Sequence, residues 1–254
     1  MKTAILVSGV YRPESVRVHI VLNELSEAFP DTDVFFHTWD EYKHLVPNYL
    51  NVESCPEPII NYDTLLDPDI DIGIGRRYKL TLQQLKHYDA GEKVTIHPTR
   101  MKKFITTRHN GTKQILGHAD LYEKVKKLNK GYDRFIRTRW DVCIQENVDF
   151  TTFLEQSETG PIGFQFPVGN HPYPDFGESP RLVSVGSDQF LSDHLIIHHK
   201  DHFDPELVYK LHKDKQLLPG EWGWYQTMVK PYKNSFKVYQ NGAGVYQLYE
   251  QEEK

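Results

Sequence analysis

The run Ala4-Ile5-Leu6-Val7-Ser8-Gly9 decides the fold of this chain, because it begins a strand–helix–strand pattern. A continuous apolar run that ends on Ser-Gly is typical of a buried parallel strand and the loop after it. A helical pattern opens at Pro13-Glu14-Ser15 and stops at Pro30, and Asp33–Trp39 has the composition of a second strand. Strand, helix and strand within about 40 residues predict parallel strands joined by a right-handed crossover.

The rest of the chain continues the α/β pattern. Gly131 follows a helical stretch as a stop signal, and a strand over 134–139 comes next. Beyond Asp141, frequent Pro and Gly predict loops and an antiparallel edge. Further elements are predicted as strands at Glu57–Tyr62 and Ile162–Phe166 and helices at Arg76–Tyr88, Thr112–Leu128, Pro205–Lys213 and Glu221–Val229. The pattern predicts an α/β fold whose mostly parallel central sheet is flanked by helices.

Composition limits the function classes. The 254 residues suit one domain, and 39% apolar with 26% charged residues is typical of a soluble globular protein. A net charge of −5 gives no general nucleic-acid footprint. Two cysteines make no disulfide framework, so we expect a reduced, cytoplasmic setting. No window approaches the roughly 20 apolar residues of a membrane span.

Residues 132–141 carry the strongest chemical signal, with Arg137, Arg139 and Asp141 at alternate positions. Side chains two apart on a strand share a face, so the three are expected to point the same way at the strand's carboxyl end. Paired guanidinium groups suit phosphate, and a carboxylate at a strand tip suits a divalent cation. The alternative is a structural salt-bridge ladder within the sheet.

Ser8, Gly9 and Arg12 form a second candidate group, at the carboxyl edge of the first strand. Open α/β sheets bind ligands at this edge, where Gly9 would allow close approach and Arg12 would reach a phosphate. Neither a Gly-x-x-x-x-Gly-Lys loop nor a Gly-x-Gly-x-x-Gly turn occurs, which argues against P-loop enzymes and dinucleotide sites. The alternative is a plain turn with a surface arginine.

Two acidic residues are candidate catalysts. Asp188 lies in a polar turn before an apolar run, where burial would raise its pKa toward that of a general base. Glu221 lies beside Trp222 and Trp224, which are able to stack on a sugar. Helix capping is the alternative for both carboxylates. None of the thirteen histidines falls in a His-Glu-x-x-His zinc motif.

Four short blocks of the sequence, taken in their order along the chain, resemble small bacterial and phage nucleotide-sugar glycosyltransferases of GT-A-like, Rossmann-type fold. The blocks are Ile5–Gly9 with Arg12, Asp33–Asp40, Tyr132–Asp141 and Ser187–Phe190. The resemblance covers roughly residues 1–230. It implies one domain over 1–254, with a nucleotide-sugar-binding half at 1–141 and an acceptor-side half at 142–254.

The resemblance also implies roles for individual residues. It makes Asp188 and Glu221 catalytic and Asp141 the ligand of Mn²⁺ or Mg²⁺. The expected nucleotide-sugar-binding residues are Ser8, Gly9, Arg12, His37, Trp39, Arg137 and Arg139. The sequence departs from the family's Asp-x-Asp motif, because Arg139 stands where the first aspartate would be.

The implied activity is transfer of a sugar from a nucleotide-diphosphate sugar to an acceptor hydroxyl. The acceptor is expected to be a glycan or a modified base in phage DNA. A non-catalytic nucleotide- or glycan-binding module is the alternative, favoured by Arg139 in place of a metal ligand. A phosphotransferase or a sulfotransferase is a third alternative, but the sequence lacks the glycine-rich phosphate loop expected of such an enzyme.

Overall fold

A computed structural model describes most of the chain. The residues described are 1–13, 18–58, 87, 90–93, 98–145, 148–164, 181–183, 194–214, 216–217, 221–232, 235, 237–240 and 246–248. The predicted helix at Arg76–Tyr88 therefore falls almost wholly outside them, and Asp188 falls outside them as well. Within the described residues, no helix has the length and apolarity needed to cross a membrane.

Ten strands are described. They are β1 Lys2–Ser8, β2 Asp33–Trp39, β3 Val52–Cys55, β4 Tyr132–Thr138, β5 Val142–Ile144, β6 Ile162–Phe164, β7 Arg181–Val183, β8 Leu195–His199, β9 Lys237–Gln240 and β10 Tyr246–Leu248. Eight of them form one sheet in the order β3-β2-β1-β4-β8-β6-β9-β7, and β5 pairs separately with β10. The strands β1, β2, β3, β4, β6 and β9 run in one direction, and only β7 and β8 of this sheet run against them.

The helices lie along the chain between these strands. They are α1 Val18–Ala28, α2 Asp40–Lys43, α3 Pro98–Lys127, α4 Thr151–Gln156, α5 Pro205–Lys213 and α6 Glu221–Trp224, with a 3₁₀ turn at Lys200–His202 and a π-turn at Tyr225–Val229. The predicted α/β class with a mostly parallel central sheet flanked by helices is confirmed. The division of labour between 1–141 and 142–254 stays a prediction.

Two apolar layers cover opposite faces of the sheet. On one face, Ile5 and Val7 of β1 share a buried cluster with Val21 and Leu25 of α1. On the other face, Ala4 and Leu6 share a second cluster with residues of α3, including Ile115 and Tyr122. The alternation of β1 side chains between the two layers is what a strand buried on both sides requires.

The connections that lead to the two neighbours of β1 cross opposite faces of the sheet. The β1–β2 crossover runs through α1 on one face, and the chain reaches β4, on the other side of β1, through α3 on the opposite face. Such a reversal is the topological switch point of an open α/β sheet, where a crevice forms outside the carboxyl ends of the strands. In this chain the switch point lies between β1 and β4.

Three predicted elements need correction. Helix α3 begins at Pro98, not at Thr112, and Pro98 occupies the first turn, where a missing N–H costs nothing. The third parallel strand is Val52–Cys55, and Glu57 and Pro58 of the predicted strand are irregular. Strand β4 ends at Thr138, so Arg139 and Asp141 lie beyond the strand and do not share its face with Arg137.

One buried histidine predicts a pH dependence of stability. His198 of β8 is fully buried, and burial lowers its pKa to about 3. The titratable groups around it are His118 and Tyr122 from α3 together with His199 and His202. An unfolded histidine titrates near 6.5. The unfolded chain therefore binds the extra proton between pH 6.5 and 3, and His198 destabilises the fold as the pH falls through that window.

We expect His198→Phe to flatten the acid side of the stability curve, because phenylalanine packs among the same rings without titrating. The wild-type free energy of unfolding should fall more steeply below pH 6.5, by up to about 1.4 kcal/mol per pH unit. Denaturant unfolding of both proteins from pH 8 to 4 measures this difference. Parallel curves for the two proteins would contradict the prediction.

Candidate functional site

The carboxyl end of β1 opens onto the switch point. Gly9 has a φ of +135°, a backbone conformation that residues with a side chain rarely adopt. A Cβ at this position would meet nothing within 4 Å. The neighbouring Ser8 is fully buried, and among the described residues its hydroxyl has no hydrogen-bond partner. Arg12 is exposed two residues after Val10 in the same loop. The loop after β1 therefore combines open space with an exposed cation.

Contacts between the strand ends hold this edge together. The Tyr11 N–H donates to Thr38 Oγ1 at 3.2 Å, and Trp140 Nε1 donates to the His37 carbonyl at 3.0 Å. The Tyr11 and Trp140 rings meet edge to face with centroids 5.0 Å apart. The loops after β1 and β4 and the end of β2 thus form one connected rim, although sequence analysis assigned Tyr11, Thr38 and Trp140 no role.

Arg139 and Asp141 bind one another at this rim. Arg139 Nε donates to Asp141 Oδ1 at 2.8 Å, and Arg139 Nη2 donates to Asp141 Oδ2. Their side chains are 21% and 27% exposed, so the pair is accessible at the surface. Val7 pairs with Thr138, which places Ser8 and Arg139 side by side as the chain leaves adjacent strands. The ion pair is therefore a bidentate fork at the edge of the switch point.

Three predicted binding residues point into the layer beneath α3. Arg137 is fully buried, donates to Gln114 Oε1 at 3.2 Å and lies over the Trp224 ring. His37 and Trp39 are 0% and 2% exposed, and their rings lie within 3.3 Å of a Cβ built on Gly117 of α3. The structure therefore separates Arg137 from Arg139 and Asp141. Donor contacts for Arg137, His37 and Trp39 stay predictions.

The side chains of the two predicted catalytic residues lie outside what the structure describes. Glu221 begins α6, and its side chain lies outside what the structure describes. Asp188 lies wholly outside the described residues. Their roles stay predictions. The Trp224 side chain is fully buried against Arg137 and His118, which is a core position and not a sugar-stacking surface.

A second polar cluster, which sequence analysis missed, joins β2, β3 and α3. His37 Nε2 lies 3.4 Å from Cys55 Sγ and 3.3 Å from Asp120 Oδ2. All three ligand-type atoms fall within 4.8 Å of one another. Burial, together with the negative charge of Asp120, raises the pKa of the Cys55 thiol to about 12. We call these residues the His37–Cys55–Asp120 cluster.

Sequence analysis missed this cluster because its three residues come together only in the folded chain. His37 pairs with Glu53, and Trp39 with Cys55, so His37 and Cys55 share a face across two strands. Asp120 reaches them because Gly117, one helical turn earlier, lets α3 lie directly against His37. A glycine inside a helix lowers stability by about 1 kcal/mol relative to alanine. Gly117 was therefore the one signal in the sequence that another element approaches α3 closely at this point.

Comparisons with known proteins give no family. No family model matches the sequence, and no curated protein matches it. One similar solved structure is a glycosyltransferase involved in the glycosylation of the major capsid of PBCV-1, 11% identical over 94% of this chain and 82% of that chain, with a TM-score of 0.43. Another is the mannosyltransferase Ktr4p from S. cerevisiae in complex with GDP, 16% identical over 64% of this chain and 40% of that chain, with a TM-score of 0.27. Neither likeness defines the activity of this chain.

Proposed function

We propose that this chain is a glycosyltransferase that moves a sugar from a nucleotide-diphosphate sugar to an acceptor hydroxyl. The observation that supports this most is the Arg139–Asp141 fork beside the open loop at Gly9, at the switch point of the sheet. Ligands of open α/β sheets bind at such a point. The donor half of the chain is then 1–141, and the acceptor side is 142–254.

The Arg139 guanidinium is the group we assign to the diphosphate. As the glycosidic bond breaks, negative charge grows on the leaving nucleoside diphosphate, and a fixed cation stabilises that charge most in the transition state. Asp141 fixes the orientation of the planar guanidinium by accepting from its Nε and Nη2. A planar fork held in this way recognises phosphate oxygens in the same bidentate manner as carboxylate oxygens.

The donor set at this edge does not fit a divalent cation held by the protein. Both Asp141 oxygens accept hydrogen bonds from Arg139, and Arg139 itself replaces the other expected carboxylate. Mg²⁺ and Mn²⁺ are held by several oxygen ligands, and the Asp141 carboxylate is already engaged by Arg139. The predicted role of Asp141 as a ligand of Mn²⁺ or Mg²⁺ stays a prediction, and our account assigns the charge stabilisation to Arg139.

The acceptor side rests on the sequence prediction. Asp188 is the proposed general base that takes the acceptor proton, and Glu221 is proposed to bind the sugar or assist. The acceptor is proposed to be a glycan, with a modified base in phage DNA as the second option. Retention on duplex DNA that falls steeply with salt would favour the DNA option.

A thermal-shift panel of nucleoside diphosphates and their sugars tests the donor site. A ligand at 100 times its dissociation constant adds about 2.7 kcal/mol, which is a rise of roughly 5–10 °C in melting temperature for a chain of this size. We expect at least one nucleoside diphosphate to give such a shift in the wild type and none in Arg139→Ala. A panel without any shift at millimolar concentrations would contradict the proposed donor site.

A non-catalytic nucleotide- or glycan-binding module is the second candidate. It is favoured by the engagement of Asp141 with Arg139, because a carboxylate held in an ion pair is not positioned to act on a substrate. The two candidates differ in turnover. A transferase that binds a nucleotide sugar releases nucleoside diphosphate with time, whereas a module binds the same compound and leaves it intact.

A further inference from the structure

The His37–Cys55–Asp120 cluster has the geometry of a metal site. Zinc binds sulfur at about 2.3 Å and nitrogen or oxygen at about 2.0–2.2 Å, so neighbouring ligands around a tetrahedral ion lie about 3.3–3.7 Å apart. His37 Nε2 lies 3.4 Å from Cys55 Sγ and 3.3 Å from Asp120 Oδ2. Both separations match two edges of such a tetrahedron.

Hydrogen bonds of His37 and of Cys55 to Asp120 account for only part of this convergence. One imidazole nitrogen makes one in-plane hydrogen bond, either as donor or as acceptor. Here a thiol and a carboxylate both approach His37 Nε2, while His37 Nδ1 has no hydrogen-bond partner among the described residues. A Cys–His–Asp catalytic chain would instead place the carboxylate on the nitrogen remote from the thiol. A single cation between the three atoms satisfies all of them at once.

We propose that the His37–Cys55–Asp120 cluster binds a divalent ion of the zinc class. A sulfur, nitrogen and oxygen donor set of this kind is typical of zinc and differs from the all-oxygen set that Mg²⁺ prefers. Three protein ligands leave a fourth position. Water completes the coordination, while Glu53, two residues before Cys55 on the same face of β3, lies beside the Lys124 ammonium.

Lys124 accounts for the charge of the cluster without metal. Its Nζ lies 2.8 Å from Asp120 Oδ2 and donates to the Ser54 carbonyl at 2.9 Å. The Glu53 carboxylate is 3.8 Å from the same ammonium. When zinc binds, Cys55 loses its proton to the buffer and two negative ligands offset the ion's two positive charges. Lys124 then forms its ion pair with Glu53 in place of Asp120, so no charge is left unpaired.

Titration of zinc into metal-free, reduced protein against a chromophoric chelator tests the site. We expect one equivalent to bind in the wild type, and Cys55→Ser to weaken binding at least about 100-fold. The matched control is Cys143→Ser, because Cys143 is the only other cysteine and lies outside the cluster. Co²⁺ should give a sulfur-to-metal charge-transfer band in the wild type and in Cys143→Ser, and none in Cys55→Ser.

Two further variants keep the test decisive if Cys55→Ser does not fold. Asp120→Asn changes a partly exposed side chain and should weaken zinc binding, whereas Lys124→Gln removes the competing cation and should strengthen it. Absence of stoichiometric binding, equal behaviour of the two serine variants, or a Co²⁺ complex without the charge-transfer band would each overturn the proposal. The readout is metal binding, so it is independent of the proposed transferase activity.

Discussion

Replacing Arg139 with alanine is expected to lower kcat/KM for sugar transfer by about 10²–10³-fold, the effect of removing one fixed group that stabilises developing negative charge. The fold should survive, because the Arg139 side chain is 21% exposed and its ion pair with Asp141 lies within one loop. Such surface pairs contribute at most about 1 kcal/mol to stability. Steady-state rates with the donor found by thermal shift measure the effect.

Arg134 supplies a matched control on the same strand. It lies at the opposite end of β4, is 7% exposed, and donates to Ser157 Oγ at 3.1 Å. Arg134→Ala should therefore lower stability and leave the rate per folded molecule unchanged, the reverse of what Arg139→Ala does. If both arginine variants kept full activity, the assignment of Arg139 to the diphosphate would be wrong.

Asp141→Ala separates the two roles open to that carboxylate. We expect it also to abolish most transfer while the fold remains intact. If Asp141 acts only by orienting Arg139, removing it from the Arg139→Ala protein should cost nothing further, because the pair behaves as one unit. A further loss in the double variant, together with dependence on Mn²⁺, would instead support the predicted metal-ligand role of Asp141.

Gly160→Ala is expected to destabilise the protein by about 3 kcal/mol, since overpacking a buried contact of this kind moves backbone. A Cβ built on Gly160 would overlap the Ser235 carbonyl group and lie 2.8 Å from Ser235 Cβ. Gly160 precedes β6 and Ser235 precedes β9, and the two strands pair in parallel. The methyl group would therefore wedge the two strands apart at their start, and the melting temperature should fall by about 6–12 °C.

Gly131→Ala is the control for this substitution. Gly131 has a φ of +72° and open space around its Cβ, so alanine there meets backbone strain without a clash. Strain of that kind costs about 1–2 kcal/mol. Calorimetry of the two variants compares a steric penalty with a conformational one. Equal melting temperatures for both would show that the contact at Ser235 relaxes without cost.

The sequence predicted the elements whose side chains repeat with a clear period. The apolar run in β1, the strand at Asp33–Trp39 and the helix at Pro205–Lys213 all occur where expected. The first 14 residues of α3 were not predicted as helix, because proline is unfavourable inside a helix, whereas Pro98 lies in the first turn, which accepts it. Short edge strands such as β3 carry too few side chains for a period to show.

The candidate site was predicted in part for a similar reason. Sequence spacing predicted Arg139 and Asp141 at the carboxyl end of a strand, and in the structure they lie in the loop directly after β4. It did not show that β4 stops at Thr138, or that Arg139 turns toward Asp141. The His37–Cys55–Asp120 cluster depends on strand register and on how closely a helix approaches, and neither quantity is written in a local pattern.

His37 belongs both to the rim at the carboxyl end of β1 and to the His37–Cys55–Asp120 cluster. Its carbonyl oxygen accepts a hydrogen bond from the indole of Trp140, which lies between Arg139 and Asp141, and its imidazole faces Cys55 and Asp120. The ring is fully buried and packed against Gly117 and Trp39, so a displacement of the ring is expected to move its backbone as well. An ion that pulls on the ring is therefore expected to alter the affinity of the rim for phosphate, and phosphate should alter the affinity for the ion by the same factor.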